Sequence, residues 1–253
     1  MIKLLKGLFG RPAAPAEPPR SALDDPRLEP LRRPCWIPRG EDRDGEPRAS
    51  KFSGTAALPA GESWPLCPNC TLPMQLFLQL NSAELPEGFK APWGDGILQF
   101  FYCTTSEPLC EADCEAWEPF AESTLLRIVP ATAATEGAPL PGTAFPAKLI
   151  AGWERMDDLP DYQELADLGF PEEDGEEISN SGYPREGDKL AGWPYWVQSV
   201  EYPQCPECKS GMKMLFQIDS DRNLPYMFGD AGCGHVTYCG KHPHVLAFGW
   251  ACH

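Results

Sequence analysis

The chain has no apolar run approaching the roughly 20 residues that cross a bilayer as a helix, so no transmembrane segment is expected. Basic residues are scarce against acidic ones, 21 Lys and Arg to 37 Asp and Glu, giving a formal charge of −16. A surface of that sign repels phosphate, so no nucleic-acid partner is expected. Histidine is rare as well, with four residues, none before His235. HExxH, GxSxG and Walker-type patterns are missing, as is a GxGxxG after a strand, so no familiar catalytic signature is present. Long helices have little room, because 29 Pro and 23 Gly are spread along the chain.

What is present is enough for a real core. Of the 253 residues 42% are hydrophobic and 11% aromatic, which excludes global disorder. At roughly 150 residues per domain, that length implies one large or two small domains. Charge is unevenly spread. Residues 1–50 hold ten Lys and Arg and eight Asp and Glu, a net of +2, so residues 51–253 carry −18. That acidity suits a basic protein partner.

The first nine residues, MIKLLKGLF, are basic and amphipathic, but Lys6 interrupts the apolar run that a secretory signal needs. A cytoplasmic protein is expected. Leu4, Leu5, Leu8 and Phe9 could touch a membrane surface weakly, although nine residues bury too little area for a stable anchor. Residues 12–19, PAAPAEPP, read as a stiff spacer. Leu23 to Arg48 is charged and proline-rich and is expected to wrap the body without regular structure. Residues 1–49 thus form a flexible or wrapping head.

Short apolar runs bounded by turn residues predict strands at Leu76–Leu80, Ile97–Cys103, Leu125–Val129, Tyr195–Val200, Met214–Ile218, His235–Cys239 and Val245–Cys252. One helix is expected over Asp157–Leu168, capped by Asp157 or Asp158 and stopped by Gly169 and Pro171. The stretch Glu172–Glu177 reads as an acidic loop.

An internal repeat organises the rest. Residues 51–79 laid on 189–217, at a constant offset of 138, give eight identities in 29 positions. They are Lys51/Lys189, Gly54/Gly192, Pro65/Pro203, Cys67/Cys205, Pro68/Pro206, Cys70/Cys208, Met74/Met212 and Gln79/Gln217. The match continues with small gaps through Leu85-Pro86 and Leu224-Pro225, Gly94-Asp95 and Gly229-Asp230, and Tyr102-Cys103 and Tyr238-Cys239. The expected fold is α+β and strand-dominated. Two duplicated halves, each with a Cys-Pro-x-Cys knuckle, pack as one compact body. The halves are placed at 50–130 and 189–253, joined by a connecting segment at 131–188.

Eleven cysteines in a reducing compartment favour metal or redox chemistry over disulfides. Each half has its CPxC and a third cysteine further on, Cys103 or Cys239, which is the plan of a structural zinc site. The expected ligand sets are Cys67/Cys70/Cys103/Cys110 and Cys205/Cys208/Cys239/His242. Cys114 with Cys252 is a symmetric alternative for the fourth positions, and His244 and His253 are also near. One filled and one decayed site, or free buried thiols without metal, stay open. A thioredoxin-like role fits poorly, because Pro and Gly around each CxxC make a loop where that chemistry needs a helix start.

The series Lys51-x-x-Gly54, Trp64-Pro65-x-Cys67-x-x-Cys70, Pro73-Met74, Gln79-Leu80-Asn81, Leu85-Pro86 and Gly96-Ile97-Leu98-Gln99-Phe100-Phe101-Tyr102-Cys103 resembles the YwqG-like family of uncharacterised bacterial proteins. Phe228-Gly229-Asp230-Ala231-Gly232 fits the same pattern. The resemblance runs from about residue 50 to 252 and implies a compact, strand-rich mixed fold with no established activity. Shorter motifs, Lys189-x-x-Gly192-x-Pro194-x-Trp196 before Cys205-x-x-Cys208, are similar to programmed cell death protein 2 and its relatives. Those are cysteine-rich chaperones of a ribosomal protein, and some of their cysteine pairs are missing here.

Three functions are weighed on these grounds. The first is a non-catalytic, zinc-stabilised acidic module that binds a basic client, as a chaperone or a toxin-immunity factor does. The second is an enzyme with an unrecognised site using Asp95, Asp230 and the C-terminal histidines. The third is a membrane-surface adaptor acting through residues 1–9.

Overall fold

Apolar runs too short for helices pair edge to edge, and a ten-stranded antiparallel sheet results. The computed structural model describes residues 21–253. Its strands are β1 (Arg33–Glu41), β2 (Lys51–Phe52), β3 (Ala56–Pro59), β4 (Gln75–Asn81), β5 (Gly96–Tyr102), β6 (Thr124–Pro130), β7 (Thr135–Ala138), β8 (Lys148–Asp158), β9 (Lys189–Ala191), β10 (Lys213–Asp219), β11 (Cys233–Tyr238) and β12 (Leu246–Ala251). The short α-helices among the described residues are α1 (Cys110–Asp113), α2 (Tyr162–Asp167) and α3 (Glu172–Asn180). The large sheet runs β12-β11-β10-β9-β1-β8-β2-β4-β5-β6, while β3 and β7 form a separate ribbon. The large sheet curves until β12 touches β6.

The order is symmetric about its centre. One half contributes β2-β4-β5-β6 and the other β9-β10-β11-β12. The strand preceding each half crosses over: β1 pairs with β9 of the second half, and β8 with β2 of the first. The two crossing strands then pair with each other along nine positions, from Arg33↔Asp158 to Glu41↔Leu149. The halves are therefore interleaved. Their shared core is aromatic, with Phe52 against Phe216 at 6.0 Å and Phe100 against Phe248 at 4.4 Å between ring centroids.

Repetition extends to single hydrogen bonds. Gln79 accepts the Ala57 amide and donates to the carbonyls of Pro47 and Ala49. Gln217, 138 residues on, accepts the Tyr195 amide and donates to those of Arg185 and Gly187, each of which is 138 residues beyond its counterpart. Buried glutamines fasten the same loops twice. Lys51 and Lys189 are both fully buried and salt-bridged, to Asp44 and Asp158. The register shift between Leu76 and Leu78 recurs between Met214 and Phe216. A strand-dominated fold with two similar halves is what the repeat predicts.

Several local expectations need correction. Leu23–Arg48 is not irregular, since it contains two 3-10 turns and β1. Pro34 and Pro38 argue against a central strand, but β9 reaches β1 only at Cys35 and Trp36, and beyond them that side of β1 has no strand neighbour among the described residues. The helix begins at Tyr162, with Asp161 and Glu164 forming a capping box, while Asp157 and Asp158 end β8. Gly169, at φ +81°, follows its C-cap as expected. Glu172–Glu177 lies within α3, whose first-turn acids suit the helix dipole. Tyr195–Val200 forms no strand. The matching β3 has β7 beside it, and among the described residues no second strand lies beside 195–200. The expectations for residues 1–9 and 12–19 lie outside the described residues.

Candidate metal centres

Each CPxC sits in a tight loop closed by backbone bonds. Cys67 donates to Leu72 and accepts from Thr71 at 2.9 and 2.8 Å, and Cys205 does the same with Ser210 and Lys209 at 2.9 and 2.8 Å. Thr71 and Lys209 adopt left-handed φ of 62° and 59°, turning the chain so that both cysteines of a knuckle face one point. The third cysteine stands just past a buried strand, Cys103 after β5 and Cys239 after β11. The fourth position comes from α1 as Cys110 in the first half, and from the loop after β11 as His242 in the second.

All eight expected residues converge as two sets of four. The ligand atoms of Cys67, Cys70, Cys103 and Cys110 lie within 4.8 Å of one another, as do those of Cys205, Cys208, Cys239 and His242. Sulfur separations are 3.9 Å for Cys67–Cys110, 3.7 Å for Cys70–Cys103 and 3.6 Å for Cys208–Cys239. The Nδ1 of His242 stands 3.7 Å from Cys205 and 3.8 Å from Cys239. A tetrahedron with metal–sulfur bonds of about 2.3 Å has edges of about 3.8 Å. No cysteine is in a disulfide. Both groups are positioned to hold a metal ion.

Cys114 and Cys252 stay outside these sets, as do His244 and His253. Polar neighbours support the sulfurs. Asn69 Nδ2 donates to Cys110 at 3.3 Å, and the Lys241 amide donates to Cys239 at 3.4 Å. His242 Nε2 lies 3.5 Å from Glu207, which also meets His244 at 2.8 Å. Sequence reasoning did not single out Asn69, Thr105 or Glu207. Asn69 and Glu207 had a signal, since each is the variable residue of its CPxC.

Ionisation differs within each set. Burial opposes a thiolate at Cys70, but bonds from Thr105, Leu72 and the neighbouring thiols outweigh it and bring Cys70 down to about 7. The Ser210 hydroxyl and amide bring Cys208 to about 6. Burial pushes Cys103 up to about 11 and Cys110 still higher. Thiolates this close repel, and a bound cation is what would let all of them ionise.

Of the residues weighed for an enzymatic site, Asp230 and His253 are neighbours, the His253 amide donating to the Asp230 carbonyl at 3.2 Å. Asp95 and Asp230 are exposed in their turns, and His244 is engaged by Glu207. His235 lies beside Cys233, at 3.9 Å, but burial holds the Cys233 thiol well above its ordinary value, so this is no thiolate–imidazolium pair.

Fold and site together define a strand-dominated α+β protein of two similar halves, each carrying a cysteine-rich cluster able to hold a metal. The chain belongs to the family described as "Domain of unknown function (DUF1963)", whose model matches residues 50–238. No curated protein matches it. Among the described residues no helix is long and apolar enough to cross a membrane.

Proposed function

We propose that this protein is a non-catalytic, zinc-stabilised acidic module that binds a basic protein client in the cytoplasm, as a dedicated chaperone or a toxin-immunity factor does. The observation that carries the reading is the pair of four-ligand clusters at equivalent places in the two halves. Four protein ligands leave no open position for a substrate water, so the metal would serve folding rather than catalysis. Cys67, Cys70, Cys103 and Cys110 would hold one zinc, and Cys205, Cys208, Cys239 and His242 the other. Thiolate-rich tetrahedral sites suit zinc among the common divalent ions. Each ion would add on the order of 10 kcal/mol of apparent binding energy to folding.

The client reading rests on charge. A body of −18 attracts a cationic protein over long range, and salt weakens that attraction. The halves at 50–130 and 189–253, with 131–188 between them, and the YwqG-like affiliation belong to the same proposal. Elemental analysis of purified protein should find two zinc ions per chain. Pull-down from lysate at low and high salt, read by mass spectrometry, should enrich basic proteins at low salt only. Absence of zinc, or a prey list without basic proteins, would count against it.

A further inference from the structure

One difference between the two halves lies on the sheet face carrying the buried glutamines. In the first half, the register places Gln79, Gln99 and Arg127 side by side on β4, β5 and β6. Arg127 lies back over this face. Its Nε donates to Gln99 at 2.9 Å, its guanidinium pairs with Glu62, and Phe101 lies 5.4 Å from it. In the second half the same register reads Gln217, His235 and Gly249 on β10, β11 and β12. Glycine stands where the arginine was, faced by the Trp117 carbonyl and the Pro119 ring, and a cavity of about 290 Å³ is lined by all three.

Its lining repeats what holds Arg127. His235 takes the place of Gln99 and is buried. Burial and the nearby Lys189 hold its imidazole down to about 3, so it is neutral and adds no competing charge. The Trp196 ring, 4.7 Å from that of His235, supplies an aromatic face where the first half has Phe101. Glu201 stands within one residue of the Glu62 position under the repeat offset, and Glu118 adds a second exposed carboxylate. A cavity near the small end of the usual 300–1,000 Å³ range suits a single side chain.

We propose that this cavity is a seat for an arginine side chain of a protein partner, the external counterpart of Arg127. The assignment rests on the basic-client reading above and names the chemistry by which the client is held. A planar guanidinium can stack on the Trp196 face while its N–H groups meet the glutamates. A lysine ammonium presents no such plane.

The zinc-replete full chain is titrated with N-acetyl-arginine amide and N-acetyl-lysine amide, following indole N–H resonances by NMR. The arginine amide should shift the Trp196 indole saturably, with the lysine amide about tenfold weaker. Replacing both exposed carboxylates, Glu118→Gln with Glu201→Gln, should weaken the arginine amide by about tenfold without unfolding the protein. Gly249→Arg should fill the seat from within and abolish binding. A Cβ there comes 3.0 Å from the Trp117 carbonyl, so the carboxylate variant decides the matter if Gly249→Arg does not fold. An unmoved Trp196 indole, equal response to both amides, or full binding by the carboxylate variant would overturn the seat. If that variant still captures a basic client at wild-type level, the seat fails and the broader reading stands. If arginine amide binds but no basic client is found, the broader reading fails alone.

Discussion

Asn69 and Glu207 occupy the same position in the two knuckles, and each reaches the fourth member of its own cluster. Asn69 donates an amide hydrogen to the Cys110 sulfur at 3.3 Å, whereas Glu207 faces Nε2 of His242 at 3.5 Å. A thiolate needs a donor, and an imidazole that turns Nδ1 inward needs an acceptor for its other N–H. The variable residue of each CPxC is matched to the ligand it supports. Glu207→Gln should lower zinc affinity of the second site by about 10–100-fold, and Asn69→Asp that of the first. Competition with a chromophoric chelator would measure both. Unchanged affinities would show that the matching is incidental.

The fourth positions can be tested by counting metal. Cys110→Ser and His242→Ala should each reduce zinc from two ions per chain to one, with a fall in melting temperature. Cys114→Ser and His244→Ala should keep both ions, because Cys114 and His244 stand outside the clusters. The reverse pattern would reassign the ligands.

Lys51 and Lys189 are equivalent, but their partners differ in burial. Asp158 is fully enclosed, while the Asp44 side chain is 35% exposed. Removing Lys189 strands a carboxylate that also accepts the amides of Leu159, Arg185 and Trp193. Lys189→Met should therefore cost about 3–5 kcal/mol, and Lys51→Met clearly less, since water can reach Asp44. Urea unfolding of the zinc-loaded proteins gives both values, and equal losses would contradict the account.

Acid should expose His235. Its folded value lies near 3, far below the 6.5 of a free imidazole, chiefly through burial. The unfolded chain binds the proton first, so this contribution is complete above about pH 6.5 and drains away as pH falls toward 3. Between pH 7.5 and 5 the loss from this residue is about 2 kcal/mol. His235→Gln, which copies Gln99 of the first half, should remove that part of the acid sensitivity. The variant and the parent are compared at both pH values, so that metal release at low pH affects each alike. An unchanged pH slope would show that His235 does not carry it.

Much of this site was legible in the chain. The CPxC pair and third cysteine of each cluster follow from the spacing and the repeat, because a knuckle is a local turn and its third cysteine follows a strongly apolar strand; the fourth positions were open between Cys110 and Cys114, and among His242, His244, Cys252 and His253. Asp161 was not legible as the helix cap. Asp157 and Asp158 offer the same chemistry a few residues earlier, and only pairing with β1 commits them to β8. β8 itself was missed. Its side chains are partly exposed along most of its length, so no run of hydrophobic residues marks it. The acidic run at 172–177 became a helix because Ile178 has a buried cluster with Leu159, Leu165 and Phe170 to pack into.

Taken alone, the sequence determined a duplicated strand module, three cysteines of each cluster and the sign of the net charge. Those depend on residues close in the chain or on a pattern written twice. Tertiary structure decided that β1 and β8 cross between the halves, that Cys110 and His242 complete the two clusters, and that Gly249 stands in the register of Arg127. All three depend on which segments become neighbours. That choice is made by burial and hydrogen bonding summed over distant segments, and no single segment carries it.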